Sequence, residues 1–248
     1  MPGLKTAIIV QARMGSTRLP GKVLKEILGK SLLEHQTERI RRVKSSDEIV
    51  IATTVSGADD VIEELCGRLS LPCFRGPEED VLARYHAAAT VFHADVVVRL
   101  TSDCPVIDPD VVERVVQFYL GHSAEFDYVS NVLTRTYPRG METEVFPFRV
   151  LDEAFHETTL PSDREHVTPF IYRNRQRFRL ANVACDMDLS RHRWTVDTEE
   201  DFALIRRIIE ELYPGNPAYG MADILGLFDR DPGMFLMNAH VEQKRVIQ

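Results

Sequence analysis

The segment Gln11-Ala12-Arg13-Met14-Gly15-Ser16-Thr17-Arg18-Leu19-Pro20-Gly21-Lys22 places three cations, Arg13, Arg18 and Lys22, within ten residues and beside two glycines. Glycine lets backbone N–H groups approach a ligand, arginine grips phosphate oxygens in pairs, and lysine acts as a point charge. Together they suit a triphosphate, with Ser16 and the backbone of Ala12 as further contacts; an ordinary solvated turn is the competing reading. The spacing is not that of a Walker loop. Five residues separate Gly15 from Gly21, and Val23 stands where the motif needs a hydroxyl. Asp103 and Asp197 each follow an expected strand, Val96 to Leu100 and Trp194 to Val196. Two carboxylates at strand ends beside a phosphate cradle fit a Mg²⁺ ion, which takes one or two carboxylates plus substrate phosphates. Each alone reads equally well as a turn or helix-cap aspartate, as Thr101 and Ser102 read either as pocket wall or as turn chemistry.

These residues need a frame. Ala7-Ile8-Ile9-Val10 is a continuous apolar run, the pattern of a strand covered on both faces. Further strands are expected at Glu48–Ala52, Cys73–Arg75, Asp95–Leu100, Phe126–Val129, Thr143–Phe146, Phe178–Ala184 and Trp194–Val196. Helices are expected behind Ser31, whose spacing to Glu34 is a capping box, and over Asp59–Leu69, Glu78–Phe92, Arg149–Glu157 and Arg164–Arg173. Another opens at Asp108-Pro109, and one capped by Thr198 carries Phe202, Ile205, Ile208, Ile209 and Leu212 inward. Strands alternating with helices predict an α/β fold with a mostly parallel sheet and a mixed portion in the hairpin-like middle. In such sheets ligands bind beyond the carboxyl ends of the strands, where the cationic loop and both aspartates fall. We expect one domain over residues 1–248: a nucleotide-binding part to about residue 125, an acceptor part to about 212, and an irregular tail from Tyr213.

Composition narrows the class. Thirty Lys+Arg against 38 Asp+Glu leave a net charge of −8, which excludes a broadly basic nucleic-acid binder but not a local cationic pocket. The first apolar run stops at Gln11, too soon for a secretory signal, and no stretch approaches the roughly 18 apolar residues of a membrane span. Four scattered cysteines show no zinc spacing and read as free thiols of a cytoplasmic protein.

The string Arg13-x-x-Ser16-x-Arg18-Leu19-Pro20-Gly21-Lys22 resembles the signature of the CMP-sugar-acid synthetases, the cytidylyltransferases for 3-deoxy-manno-octulosonate and acylneuraminate. It is most similar to their spore-coat polysaccharide biosynthesis branch. The resemblance continues through Asp80-Val81-Leu82-Ala83-Arg84-Tyr85, Arg99 to Pro105, Arg139 to Val145, Arg164 to Pro169, and Arg193 to Thr198. It implies a three-layer α/β/α, Rossmann-like fold of the nucleotide-diphospho-sugar transferase kind, and CMP transfer from CTP to a sugar or sugar acid with release of pyrophosphate. It further implies nucleotide contacts from Arg84, magnesium on Asp103 and Asp197, a homodimer, and an acceptor side at Arg139, Glu142, Glu144, Arg164, Glu165 and His166. The alternation Glu142-Thr143-Glu144-Val145 predicts both carboxylates on one strand face. Thr101-Ser102-Asp103 differs from the Gln-Gly-Asp of those relatives, which leaves the base and acceptor open.

Two other readings stand beside this one. Asp186-Met187-Asp188 is a DxD pattern such as glycosyltransferases use for a metal and a nucleotide sugar, although Asp229-Arg230-Asp231 shows how cheap the pattern is. A non-catalytic nucleotide-binding protein of the same pathway would bind nucleotide and release no pyrophosphate.

Overall fold

The fold is described by a computed structural model covering residues 3–243; the extreme start of the chain, Met1-Pro2, and the last residues of the tail lie outside the described residues. In chain order the strands are β1 (Thr6–Gln11), β2 (Glu26–Ile27), β3 (Lys30–Ser31), β4 (Glu48–Thr54), β5 (Cys73–Gly76), β6 (Val96–Thr101), β7 (Tyr128–Ser130), β8 (Glu144–Pro147) and β9 (Leu180–Asn182). The helices are α1 (Leu32–Ile40), α2 (Asp60–Arg68), α3 (Val81–Val91), α4 (Pro109–Gly121), α5 (Phe148–Glu157), α6 (Pro161–His166), α7 (Pro169–Arg173), α8 (Glu199–Leu212) and α9 (Met221–Arg230).

Seven strands form one sheet in the order β5-β4-β1-β6-β8-β7-β9. β1 pairs in parallel with β4 and β6, β4 with β5, and β7 with β9, while β8 runs antiparallel to both β6 and β7. The period of two along β1 divides the interior. Ile8 and Val10 face a core built with α1, α2, α4, α8 and α9; Ala7 and Ile9 face a second core built with α3, α5 and α7. Helices therefore cover both faces, which is the α/β/α layering and the reason β1 carries no polar residue between Ala7 and Val10. The chain passes from β1 outward through β4 to β5, then returns to the other side of β1 as β6. The carboxyl ends of β1 and β6 thus flank a topological switch point, the crevice where open sheets bind ligands.

Three local expectations are corrected. Trp194-Thr195-Val196 forms no strand; the residue before it, Arg193, makes an isolated bridge to Arg139, and the segment hangs on the β6 loop through Val196 N–H donating to Asp103 O at 2.8 Å. The helix expected over Arg164–Arg173 is two short helices, α6 and α7. Val167 sits between them at φ 71°, a sterically costly value for a β-branched residue, and Pro169 opens the second. The tail is not irregular: α9 and a short helix at Pro232–Met237 fold back onto the first core and bury Ile224 and Met234.

Candidate active site

The cationic loop leaves β1 and is held in place by hydrogen bonds. Ala12 N–H donates to Ala52 O (3.1 Å), and Met14 N–H donates to the buried carboxylate of Asp59 (2.7 Å). Met14 O then accepts from Ser16 N–H (2.8 Å) and Gly21 N–H (3.0 Å), closing the loop on itself. Gly21 adopts φ 68°, the left-handed turn that a side chain would resist, and the chain enters a one-turn helix starting at Lys22. Leu19, 3% exposed, anchors the loop in the core, so the polar residues around it face outward.

One cleft of about 380 Å³ lies over the ends of β1 and β6. It brings together Ala12, Arg13, Ser16, Arg18, Lys22, Arg84, Thr101, Ser102, Asp103, Glu165, His166 and Asp197, residues spread over most of the chain. At its floor the Lys22 ammonium lies 2.9 Å from Asp197 and 3.6 Å from Asp103, and donates to Val196 O at 2.6 Å. Asp197 also receives Arg18 (3.0 Å) and Arg193 (2.8 Å), and Arg193 is itself fixed by the buried Asp201 (2.8 Å). Burial alone would raise the Asp197 pKa, but Lys22, Arg18 and Arg193 hold it below the ordinary carboxylate value. Burial likewise opposes the charge on Lys22, and the two aspartates more than offset it, so its pKa is raised.

The cap readings of the two aspartates find other residues in those roles. Thr198 caps α8, with Asp201 completing the box, and Asp108 caps α4. Asp103 and Asp197 are left with side chains turned to the Lys22 ammonium. Asp103 Oδ1 accepts from the Thr101 hydroxyl and from the Cys104 thiol at 3.4 Å, while Oδ2 faces Lys22. Asp103 and Asp197 offer the oxygen donors that a hard divalent ion takes, at the position the Lys22 ammonium fills here.

The Asp197 network has an acid limb. A carboxylate whose folded pKa lies below its unfolded value stabilises the fold above about pH 3.9, and that stability is lost as pH falls through the folded pKa. Urea unfolding of Asp197→Asn across the acid range is expected to show a shallower loss of stability than the parent chain below about pH 4.

Four residues expected on the acceptor side do not open onto this cleft. Glu142 and Glu144 share no strand face: β8 begins only at Glu144, and Glu142 instead pairs with Arg135 (2.6 Å) and accepts from Gly140 N–H (2.6 Å). Glu144 is 5% exposed and is a buried hub. It pairs with Arg99 and accepts from Tyr128 Oη (2.5 Å) and Thr168 Oγ1 (2.6 Å). Through Thr168 it ties the sheet to the α6–α7 junction, whose preceding residues Glu165 and His166 do reach the cleft. Arg164 turns away to Asp80 (3.2 Å) and Phe155 O (2.8 Å), and Arg139 lines a separate cavity with Arg193. Burial lowers the pKa of His166.

Sequence reasoning passed over Gln11, Asp59, Arg193 and Asp201. Arg99 carried a visible signal, a cation interrupting the buried run Val96-Val97-Val98; on the structure it meets Glu144 and, at 3.1 Å, Gln11. Arg84, 1% exposed, has no carboxylate partner among the described residues and gives its guanidinium to Pro77 O at 2.6 Å.

A three-layer α/β/α sheet with a cationic loop and paired carboxylates at its switch point defines a nucleotide-binding α/β protein. The chain belongs to the cytidylyltransferase family, whose profile it matches over residues 7–223. It is 31% identical over 231 residues to the spore coat polysaccharide biosynthesis protein SpsF of Bacillus subtilis, covering 90% of this chain and 94% of that one. It is also 31% identical over 171 residues to 3-deoxy-manno-octulosonate cytidylyltransferase of Chlamydia trachomatis serovar A, 65% of each chain. Among solved structures, a cytidylyltransferase from Leptospira borgpetersenii superposes with a TM-score of 0.90 at 30% identity, covering 98% of this chain and all of the other.

Proposed function

We propose that the protein transfers CMP from CTP to a hydroxyl group of a sugar or sugar acid, in polysaccharide biosynthesis. The observation that carries this reading is the cluster of Lys22, Asp103 and Asp197 at the switch point, beside Arg13 and Arg18 on the same loop. The acceptor oxygen attacks the α-phosphorus, the bond to the β,γ-phosphates breaks, pyrophosphate leaves, and the hydroxyl proton passes to solvent or a neighbouring base. Such transfers rest on positioning and charge neutralisation more than on covalent chemistry by the protein. Arg13, Arg18 and Lys22 neutralise the departing phosphates. Gln11, Ala12, Thr101 and Ser102 wall the nucleotide, and Glu165 with His166 forms the rim where the acceptor enters. Asp103 and Asp197 would hold magnesium, which would supply further neutralisation of phosphate charge.

Supporting the choice of CTP is the family, and supporting the sugar acceptor are the two named relatives. A cytoplasmic setting fits four thiols that form no disulfide. No helix among the described residues is long and apolar enough to cross a membrane. A homodimer rests on the family resemblance. The test is pyrophosphate release with each of the four ribonucleoside triphosphates, Mg²⁺ and a panel of sugar acids. Release with CTP above the other three supports the reading; no release with any triphosphate and any acceptor sinks it.

The glycosyltransferase reading needs a working DxD. Asp186 is 89% exposed and among the described residues reaches only Arg114, at 3.4 Å, and Asp188 closes a local turn by accepting from Ser190 N–H (3.0 Å). The double variant Asp186→Ala/Asp188→Ala is therefore expected to release pyrophosphate within about twofold of the parent rate, because surface changes away from the site cost little.

A further inference from the structure

Asp197 is held from behind by a chain of buried polar groups. Its Oδ2 accepts from Arg193 Nη2 (2.8 Å), while its Oδ1 faces the Lys22 ammonium. Arg193 is gripped in turn by Asp201, with Nε donating to Oδ1 (2.8 Å) and Nη2 to Oδ2 (3.0 Å). The same Oδ2 of Asp201 accepts from the backbone N–H of Asp197 (3.0 Å) and of Thr198 (3.1 Å). Asp201 thus fixes both the backbone of Asp197 and the arginine that meets its side chain. The next member comes from the tail. Asn238 closes the short helix at Pro232–Met237, and its side-chain amide donates to Arg193 O (2.9 Å) and to Asp201 Oδ1 (2.8 Å). An amide nitrogen carries two N–H groups, so both are engaged, one on each residue. Asn238, Asp201 and Arg193 are 4%, 0% and 7% exposed, so losing the amide takes a donor from each of two buried acceptors. Gln243, further along the tail, also accepts from Arg193. Both tail residues lie beyond residue 223, where the match to the family profile ends.

We propose that Asn238 is a positioning residue of the active site. It holds Asp201 and Arg193 in register, so that the guanidinium meets Asp197 Oδ2 and leaves Oδ1 on the Lys22 ammonium, which Asp103 also faces. Those two carboxylates are the pair that would hold a divalent cation, and the tail is then part of that site rather than a surface appendix. Partners that fix the orientation of a ligating side chain tune metal affinity without touching the metal. The metal half of the proposal rests on the function proposed above; the hold on Asp197 does not.

Amide hydrogen exchange of the full-length protein, followed by NMR, reads the hold directly. In Asn238→Ala the Asp197 and Thr198 amides are expected to exchange about tenfold faster than in the parent, with Ile8 and Ile9 of β1 unchanged. Ile224→Val, which trims a wholly buried side chain of α9 outside the network, leaves these amides at parent rates. The metal side is read by calorimetry with a CTP analogue whose α,β-bridging oxygen is replaced by methylene, so that no pyrophosphate can leave. The Mg²⁺ concentration that gives half-maximal analogue binding should rise about tenfold in Asn238→Ala, the scale of losing a partner of a metal ligand. Analogue affinity at saturating Mg²⁺ should stay within about twofold, and Ile224→Val should match the parent in both. Should Asn238→Ala melt below the working temperature, Asn238→Ser, which keeps one donor, takes its place. Parent-like exchange at Asp197 and Thr198 overturns the positioning role. Equal changes in Ile224→Val reduce Asn238 to a packing residue of the tail and overturn it as well. Faster exchange with an unchanged Mg²⁺ requirement overturns the metal half. An analogue that fails to bind the parent at any Mg²⁺ concentration sinks the proposed function and the metal half with it, and the exchange rates still decide the hold on Asp197.

Discussion

Lys22→Ala is expected to lower pyrophosphate release on the order of 10³-fold, the scale of removing one preorganised charge from a reacting site. The cause is double. In the proposed reaction Lys22 neutralises the departing phosphates, and it is also the common counter-ion of Asp103 and Asp197. Its side chain and that of Asp197 are each only 13% exposed, so removing the ammonium takes the ion-pair partner from Asp103 and leaves Asp197 to Arg18 and Arg193. Losing one cation from this partly exposed network costs about 1 to 2 kcal/mol of stability. The variant should therefore melt lower and turn over more slowly. Added Mg²⁺ should recover more stability in Lys22→Ala than in the parent, because the vacated position is then open to a metal. Melting curves with and without Mg²⁺, beside the pyrophosphate assay, check both effects. Parent-like turnover would remove Lys22 from the mechanism, and equal metal response would remove the shared cation position.

Gly140→Ala is expected to destabilise the protein by about 4 kcal/mol, lowering the melting temperature by about 10 °C. Gly140 adopts φ 100°, a region that favours glycine, and an added Cβ would lie 2.6 Å from the Trp194 carbonyl oxygen and 2.7 Å from its carbon. Neither atom can yield cheaply. Trp194 N–H donates to Arg139 O at 2.8 Å, and Trp194 itself is wholly buried. The same contact carries the segment that ends in Asp197, so the loss should extend to turnover even at temperatures where the variant is folded. Calorimetric melting with the assay at about 20 °C below the new midpoint tests it. A variant that melts with the parent would mean the loop relaxes freely at Gly140.

How much of the site was legible depends on how local its cause was. The loop Arg13 to Lys22 announces itself because charge, glycine and proline are adjacent in sequence. The capping of α8 was legible for the same reason, since Thr198 reaches only to Asp201. Glu142 and Glu144 misled because strand alternation applies only inside a strand, and β8 starts one residue after Thr143. Arg164–Arg173 reads as one helix by composition. Its break at Val167 depends on Glu144, across the sheet, accepting from Thr168 and holding the junction in a strained turn. The tail looked irregular because its proline and glycine residues suggest turns. Its helices are stabilised by burial against α8, which no local pattern records.

By itself the sequence determined the alternation of strands and helices, the buried character of β1, and the cationic loop that follows it, because hydrophobic period, capping and turn chemistry act over a few residues. Only the tertiary structure decided that Asp103 and Asp197, 94 residues apart, meet around one ammonium rather than capping helices. Only it decided that Glu144 and Arg99 neutralise one another inside the sheet, and that Arg193 serves Asp197 rather than solvent. The physical reason is common to all three. The free energy of a charge is set by the charges and the dielectric around it, and those are supplied by segments that are neighbours in space alone.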